Sequence, residues 1–196
     1  MGFLKGKTAI ITGGGRSVLK DGSCGSIGYG IATAYAKEGA NLVITGRNKQ
    51  KLADAKEELE RLYNIEVLPV QADVSAGADN ETVVQNVIDE TIAKFGRINV
   101  LINNAQASAS GVAANEWGPD GINANIICPL AWTAQLENFQ KAYPDAFKAN
   151  VKMPPAGHYA DAEKEIGRVC VQLASPDFKY MSGETLTLEG GMGQRP

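Results

Sequence analysis

Three consecutive glycines, Gly13-Gly14-Gly15, follow the short apolar run Thr8-Ala9-Ile10-Ile11-Thr12, and Gly25-Ser26-Ile27-Gly28 opens a stretch with helical spacing. A strand, a glycine turn and a helix start, in that order, suit a phosphate-bearing dinucleotide. Glycine lets the backbone approach the pyrophosphate, and the helix N-terminus offers free N–H groups and the positive end of its dipole. An insert, Arg16 to Cys24, separates the two glycine groups. Other reactive side chains are sparse. The single histidine, His158, reads as a structural or surface residue. The three cysteines, Cys24, Cys128 and Cys170, have no Cys-x-x-Cys spacing, so neither a disulfide framework nor a cysteine-rich zinc site is expected, and a reducing cytosol is the simple reading.

The elements around the glycine turn repeat a strand–helix alternation. Strands are expected at Thr8–Thr12, Asn41–Thr45, Ile65–Val70 and Ile98–Ile102. Helices are expected at Ile27–Glu38, Lys49–Tyr63 and Glu81–Phe95. The second half adds strands at Ile122–Ile127 and Thr185–Leu188 and a helix at Asp161–Ala174. That order predicts an α/β fold with a doubly wound parallel sheet, in one domain over residues 1–196. With 44% hydrophobic and 21% charged residues the composition is globular, and a net charge of -3 argues against a broadly nucleic-acid-binding surface. No apolar run reaches the ~18 residues of a membrane span, so a cytoplasmic protein with a small-molecule substrate, no nucleic acid and no membrane is expected.

Taken together, the motifs resemble the short-chain dehydrogenase/reductase family over nearly the whole chain. Thr12-Gly13 with Ser26-Ile27-Gly28 is similar to the family's glycine loop, with Ser26 at the middle glycine. Asp73-Val74 is similar to its adenine-contacting pair. Asn103-Asn104-Ala105-Gln106 resembles the Asn-Asn-Ala-Gly turn. Pro155 to Ile166, Ser182 to Leu186 and Glu189-Gly190-Gly191-Met192 resemble its C-terminal signature. The resemblance implies a Rossmann-type oxidoreductase that interconverts a secondary alcohol and a ketone. Its cofactor contacts would come from Gly13, Ser26, Ile27, Gly28, Asp73, Val74, Asn104 and Ala105. Thr133 would touch the nicotinamide carboxamide, one residue short of the commonest spacing. Relatives form dimers or tetramers, so a homodimer or homotetramer is implied. Residues 131–160 correspond to the substrate lid, and Trp132, Leu136, Phe139, Tyr143, Phe147 and Met153 make it apolar, which suits a hydroxysteroid or another bulky apolar alcohol. Thr45-Gly46-Arg47-Asn48 places an arginine where a carboxylate would select the ribose 2′-hydroxyl. Arg47 and, in the insert, Arg16 therefore predict NADP(H) over NAD(H).

The family's chemistry needs a serine, a tyrosine and a lysine four residues after the tyrosine. The lysine lowers the tyrosine pKa, and the phenol exchanges a proton with the substrate oxygen. None of Tyr29, Tyr35, Tyr63, Tyr143, Tyr159 and Tyr180 has a lysine four residues on, or seven residues on as in enoyl reductases. Ser108, Ser110, Tyr159 and Lys152 have no spacing that would build the pair, so no catalytic residue is identifiable. Only Ala105 to Gly111 separates the Asn-Asn turn from what resembles the tail of the tyrosine-bearing helix, Val112 to Gly118. Seven residues reach at most ~25 Å, too short to supply a helix, a strand and most of another helix. The working protein is therefore expected to carry a further segment near Ser108–Val112. The alternatives are an enoyl reductase, whose loop Ser26–Ala32 resembles, or, if the deletion is real, a catalytically inactive dinucleotide-binding protein.

Overall fold

The computed structural model describes residues 2–73, 80–104, 114–115 and 117–193. Strand β1 (Thr8–Thr12) is buried at all five positions, and β2 (Asn41–Gly46) at its four central ones. β2 lies between β1 and β3 (Val67–Gln71), and β4 (Val100–Ile102) pairs with the other edge of β1, giving the order β3-β2-β1-β4 with every pair parallel. Helices α1 (Ile27–Lys37), α2 (Lys49–Tyr63) and α3 (Asn80–Phe95) make the crossovers.

Local chemistry sets the helix ends. Ser26 and Asn48 cap α1 and α2 by accepting from the N–H groups of Tyr29 and Lys51. Asn64 ends α2 in the left-handed region at φ 52°, a conformation asparagine tolerates better than most residues.

Alternation along the strands builds two apolar layers. Ala9, Ile11, Leu42 and Ile44 pack with α1, α2 and the later helix α6 (Arg168–Leu173). Ile10, Val43 and Val70 face the other way, toward Val87 of α3. The second layer is thinly covered: Val84, Ile92, Ile98 and Leu101 stay exposed, Leu101 by 55%.

The remaining strands, β5 (Ile126–Pro129) and β6 (Thr185–Leu188), form a separate parallel pair. The expected single sheet is thus divided into a four-stranded and a two-stranded part. Among the described residues β4 has a strand partner on one edge only. Ile127 nevertheless packs on the same apolar cluster as Val100 and Ile102, so both parts serve one core.

The fifth strand begins at Ile126, four residues later than its apolar run suggests. Gly121 sits at φ 76° after a short 3-10 turn, and the side chains of Asn123 and Asn125 bond to the backbone carbonyls of residues 178, 179 and 181. Side-chain bonds, together with one backbone bond from the Gly183 N–H to the Ala124 carbonyl at 2.7 Å, hold residues 123–125. The region expected as a lid contains α4 (Ala134–Ala142) and α5 (Pro144–Asn150). The expected helix 161–174 begins as a π-helical turn, Ala162–Gly167, before α6. Gly30 and Gly167 let it lie against α1: a Cβ on Gly30 would fall 2.4 Å from the Ala162 carbonyl carbon.

Candidate cofactor and substrate site

Parallel pairing puts the C-terminal ends of β1 to β4 along one edge, where an open α/β sheet binds its ligands. Gly13, Arg47, Asp73 and Asn104 all follow strand ends on that edge. Gly13 turns at φ 71°, and the Gly14 N–H donates to the Thr45 carbonyl at 3.1 Å. Asn104 donates its side-chain amide to the Thr12 carbonyl at 3.0 Å, which ties the Asn-Asn turn to the glycine loop. Gly28 closes the cradle: a Cβ there would stand 2.3 Å from the Gly13 oxygen and 2.8 Å from Asn104 Nδ2. These are the close backbone approaches that a dinucleotide turn requires, so the residues fit such a cofactor. Ser26 is the helix cap, and Ile27 packs against the core. Gly28→Ala is expected to abolish cofactor binding and lower the melting temperature; unchanged cofactor titration would contradict this geometry. Asp73 is half-buried beyond β3. Val74, Ala105, Ser108 and Ser110, with the expected segment position 108–112, lie outside the described residues.

Arg47 is exposed just beyond β2, and its backbone carbonyl accepts from the Gln71 side-chain amide at 3.0 Å. Arg16 behaves differently. Its backbone N–H donates to the Lys51 carbonyl, and its Nε lies 2.6 Å from Glu58 Oε2 on α2. The other oxygen of Glu58 accepts the Tyr29 hydroxyl at 2.7 Å. Burial acts to raise the Glu58 pKa, yet bonds from Tyr29 and Arg16 hold it below the ordinary glutamate value. The Tyr29 phenol is pushed well up, first by burial and then by Glu58. Sequence reasoning missed this network, because residues 16 and 58 share no local spacing. Glu58→Ala strands a tyrosine hydroxyl on a side chain that is 1% exposed, at a cost of roughly 1–3 kcal/mol and several degrees in melting temperature. A depressed carboxylate stabilises the fold above its unfolded pKa and loses that contribution as pH falls through the lower folded value. The wild-type advantage over Glu58→Ala should therefore shrink below about pH 4.

Beside α4 lies a cavity of about 600 Å³ lined by Leu130, Thr133, Leu136, Phe139, Tyr159 and Met192 among others. That volume lies within the range of small-molecule sites, about 300–1,000 Å³. Thr133 caps α4, accepting from Leu136 N–H at 3.3 Å, and the next N–H, Ala134, donates to the Gly25 carbonyl at 2.8 Å. The glycine loop and the cavity wall are therefore joined directly. Behind the wall, the Trp132 ring meets Phe147 and Tyr159 edge-on at 6.1 and 5.8 Å, and Phe139 packs on Tyr143 and Phe147. Met153 projects outward, 62% exposed. The Tyr159 hydroxyl donates to the backbone carbonyl of Lys152 at 2.7 Å, so that hydrogen bond does not make a tyrosine–ammonium pair.

Elsewhere, His158 is bound to Glu165 at 2.9 Å, and that bond raises its pKa. Burial lifts the Cys24 thiol to about 11, leaving it protonated and unreactive at neutral pH. Among the described residues no group of three or more His, Cys, Asp or Glu could hold a metal, and no helix is long and apolar enough to cross a membrane.

Comparison with known proteins agrees with this arrangement. The short chain dehydrogenase family model matches residues 7–112, and the enoyl-(acyl carrier protein) reductase model matches residues 105–193. A 12alpha-hydroxysteroid dehydrogenase from Clostridium sp. is 49% identical over 266 aligned positions, covering 100% of both chains. With 196 residues here, about 70 of those 266 positions have no residue of this chain opposite them. Among solved structures, the L-sorbose reductase of Gluconobacter frateurii, complexed with NADPH and L-sorbose, superposes with TM-score 0.79 at 20% identity, covering 98% of each chain. A hydroxysteroid dehydrogenase from Escherichia coli gives 0.77 at 20% identity, covering 97% of each. The chain belongs to the short-chain dehydrogenase/reductase family of oxidoreductases. The fold is the family's Rossmann-type arrangement, and the cofactor class is a nicotinamide dinucleotide.

Proposed function

We propose that the protein is an NADP(H)-dependent oxidoreductase that interconverts a secondary alcohol and a ketone on a bulky, largely apolar substrate of the hydroxysteroid class. The observation that carries this reading is the lid cavity, apolar along most of its wall and joined to the glycine loop through the Ala134–Gly25 hydrogen bond. The 49% identity to a hydroxysteroid dehydrogenase supports the substrate class. When bound, the nicotinamide supplies or accepts the hydride. The chain's own residues position the two reactants. Gly13, Ser26 and Gly28 shape the pyrophosphate cradle, Asn104 anchors its floor, and Arg47 faces the ribose edge. Leu136, Phe139 and Met192 exclude water from the substrate body.

The proton-transferring serine, tyrosine and lysine would lie on a further segment near Ser108–Val112. The handover between the two family models at residues 105–112 supports that placement, and the roughly 70 unmatched positions of the relative leave room for a segment of that size. The intact mass of the protein from its native source is expected to exceed 20.7 kDa by several kilodaltons; a mass of 20.7 kDa would favour an inactive dinucleotide binder.

The enoyl reductase model over residues 105–193 favours a second reading, reduction of a carbon–carbon double bond. Assaying the segment-bearing protein with a hydroxysteroid and NADP+, and with an enoyl thioester and NADPH, separates the two. Turnover of the first alone supports the proposal, and turnover of the second alone overturns it.

A further inference from the structure

His158, the only histidine in the chain, stands between two acceptors. Its Nδ1 lies 3.3 Å from the Ala156 carbonyl oxygen, and its Nε2 lies 2.9 and 3.1 Å from the two oxygens of Glu165. A neutral imidazole has one N–H and can donate to only one of them, whereas the imidazolium donates to both. Glu165 stays ionised across the neutral range, because the Asp161 N–H and the His158 ring hold it below the ordinary glutamate value. Other charges nearby are directed elsewhere. On the π-helical turn, the Asp161 carboxylate accepts from the N–H groups of Glu163 and Lys164 and pairs with the Lys164 ammonium at 3.7 Å, and Glu163 pairs with Lys37. On the C-terminal segment, Glu189 accepts from the Gly193 N–H at 2.8 Å. Lys152, before the turn, makes no ion pair among the described residues. Among those residues Glu165 is the one charged side chain acting on the ring.

The groups that the ring joins carry the cavity wall. Ala156 belongs to a turn closed by the Gly157 N–H on the Pro154 carbonyl, and its own N–H donates to the Gly190 carbonyl at 2.9 Å, just before Met192. Tyr159 follows the ring directly, and the backbone of Ala160 bonds to Leu130 and Trp132. Leu130, Tyr159 and Met192 all line the cavity. Glu165, at the other end, sits on the π-helical turn that lies against α1. We infer that His158 is a positioning residue for this wall and acts as a pH-sensitive latch. Protonated, it ties the Pro154–Gly157 turn to the π-helical turn and steadies Tyr159 and Met192; deprotonated, it releases one of its two acceptors. Resting on the substrate reading above, the consequence is a substrate affinity that falls at alkaline pH. Glu165 and the Ala156 carbonyl both raise the ring's pKa. The latch is therefore fully engaged below the ordinary histidine value of about 6.5 and is lost as pH rises through the higher folded value.

The latch can be read without any ligand. Amide hydrogen exchange at Ala156, whose N–H is protected by the Gly190 carbonyl, gives the ratio of closed to open states there. Its protection factor, corrected for the intrinsic exchange rate, should fall about two- to fivefold as pH rises through the His158 titration, and by less at high salt, because the pair is exposed and screened. The single histidine makes that titration directly assignable by NMR. His158→Gln should show the lower protection at every pH. His158→Arg keeps a charge and several donors, so it should hold the higher protection with no pH step. Amides of β2 should show no step in any variant. A pH-independent Ala156 protection factor in the wild type overturns the inference, and so does a step that survives in His158→Arg or is shared by β2. Affinity for testosterone, an uncharged hydroxysteroid, should fall over the same pH range in the wild type and not in His158→Arg. A flat affinity where Ala156 shows its step overturns the positioning role. Failure of testosterone to bind at any pH, with the Ala156 step present, counts against the substrate reading and leaves the latch standing.

Discussion

Inserting near Ser108–Val112 the stretch of the Clostridium hydroxysteroid dehydrogenase that has no counterpart here should raise ketone-dependent NADPH oxidation from background by at least about 10²- to 10⁴-fold. That is the range positioned acid–base groups contribute. The chain alone is expected to bind cofactor without turnover. Its six tyrosines are all accounted for by position: Tyr29 is bound to Glu58, Tyr35 to the Cys170 carbonyl and Tyr159 to the Lys152 carbonyl, while Tyr63, Tyr143 and Tyr180 have no lysine at the required spacing. None of the six has the lysine spacing of the family's pair. The same insertion should also change the surface. Ile98, Leu101, Trp117 and Ile122 are between 36% and 55% exposed, and β4 has a strand partner on one edge only among the described residues. A restored strand and its flanking helices would cover such surface, so binding of a hydrophobic dye should fall as activity rises. Turnover by the unmodified chain at a comparable rate would sink the idea and place the acid–base group among the residues already present.

Elements defined by local chemistry could be read from the sequence. The limits of α2 follow from Asn48 and Asn64, and β1 follows from an apolar run stopped by glycine, so both match the expected bounds residue for residue. The turns after β1 to β4 also converge, because parallel strands carry their C-terminal ends to one edge. What the sequence concealed depends on distant partners. The division of the sheet depends on what lies beside β4, which no periodicity within Val100–Ile102 records. The start of β5 at Ile126 depends on Asn123 and Asn125 bonding to residues more than fifty positions away. The engagement of Arg16 with Glu58 spans 42 positions between an insert and a helix face that reads as ordinary solvated charge. The cavity likewise assembles from the residues just after β5, the helices α4 and α5, Tyr159 and Met192.

The Arg16 pairing sharpens the expectation for cofactor choice. Two arginines were candidates for a 2′-phosphate, but one is already neutralised by a carboxylate, whereas Arg47 has no ion pair among the described residues. Arg47 also stands immediately before Asn48, the cap of α2, so the positive end of a 15-residue helix adds to its field. Replacing Arg47 with aspartate removes a charge-assisted contact worth roughly 1.5–3 kcal/mol and sets a negative charge where the phosphate would lie. The dissociation constant for NADPH should rise roughly 10- to 100-fold, while that for NADH stays within a fewfold or improves, because a carboxylate there can accept from the ribose 2′-hydroxyl. Arg16→Gln should weaken NADPH much less, since that guanidinium would first have to leave Glu58. Fluorescence titration of both cofactors against the two variants decides the matter. A large loss in Arg16→Gln with little in Arg47→Asp would mean that Arg16 leaves Glu58 to bind the phosphate. Equal losses of NADPH and NADH in Arg47→Asp would mean that Arg47 supports the loop and does not select the cofactor.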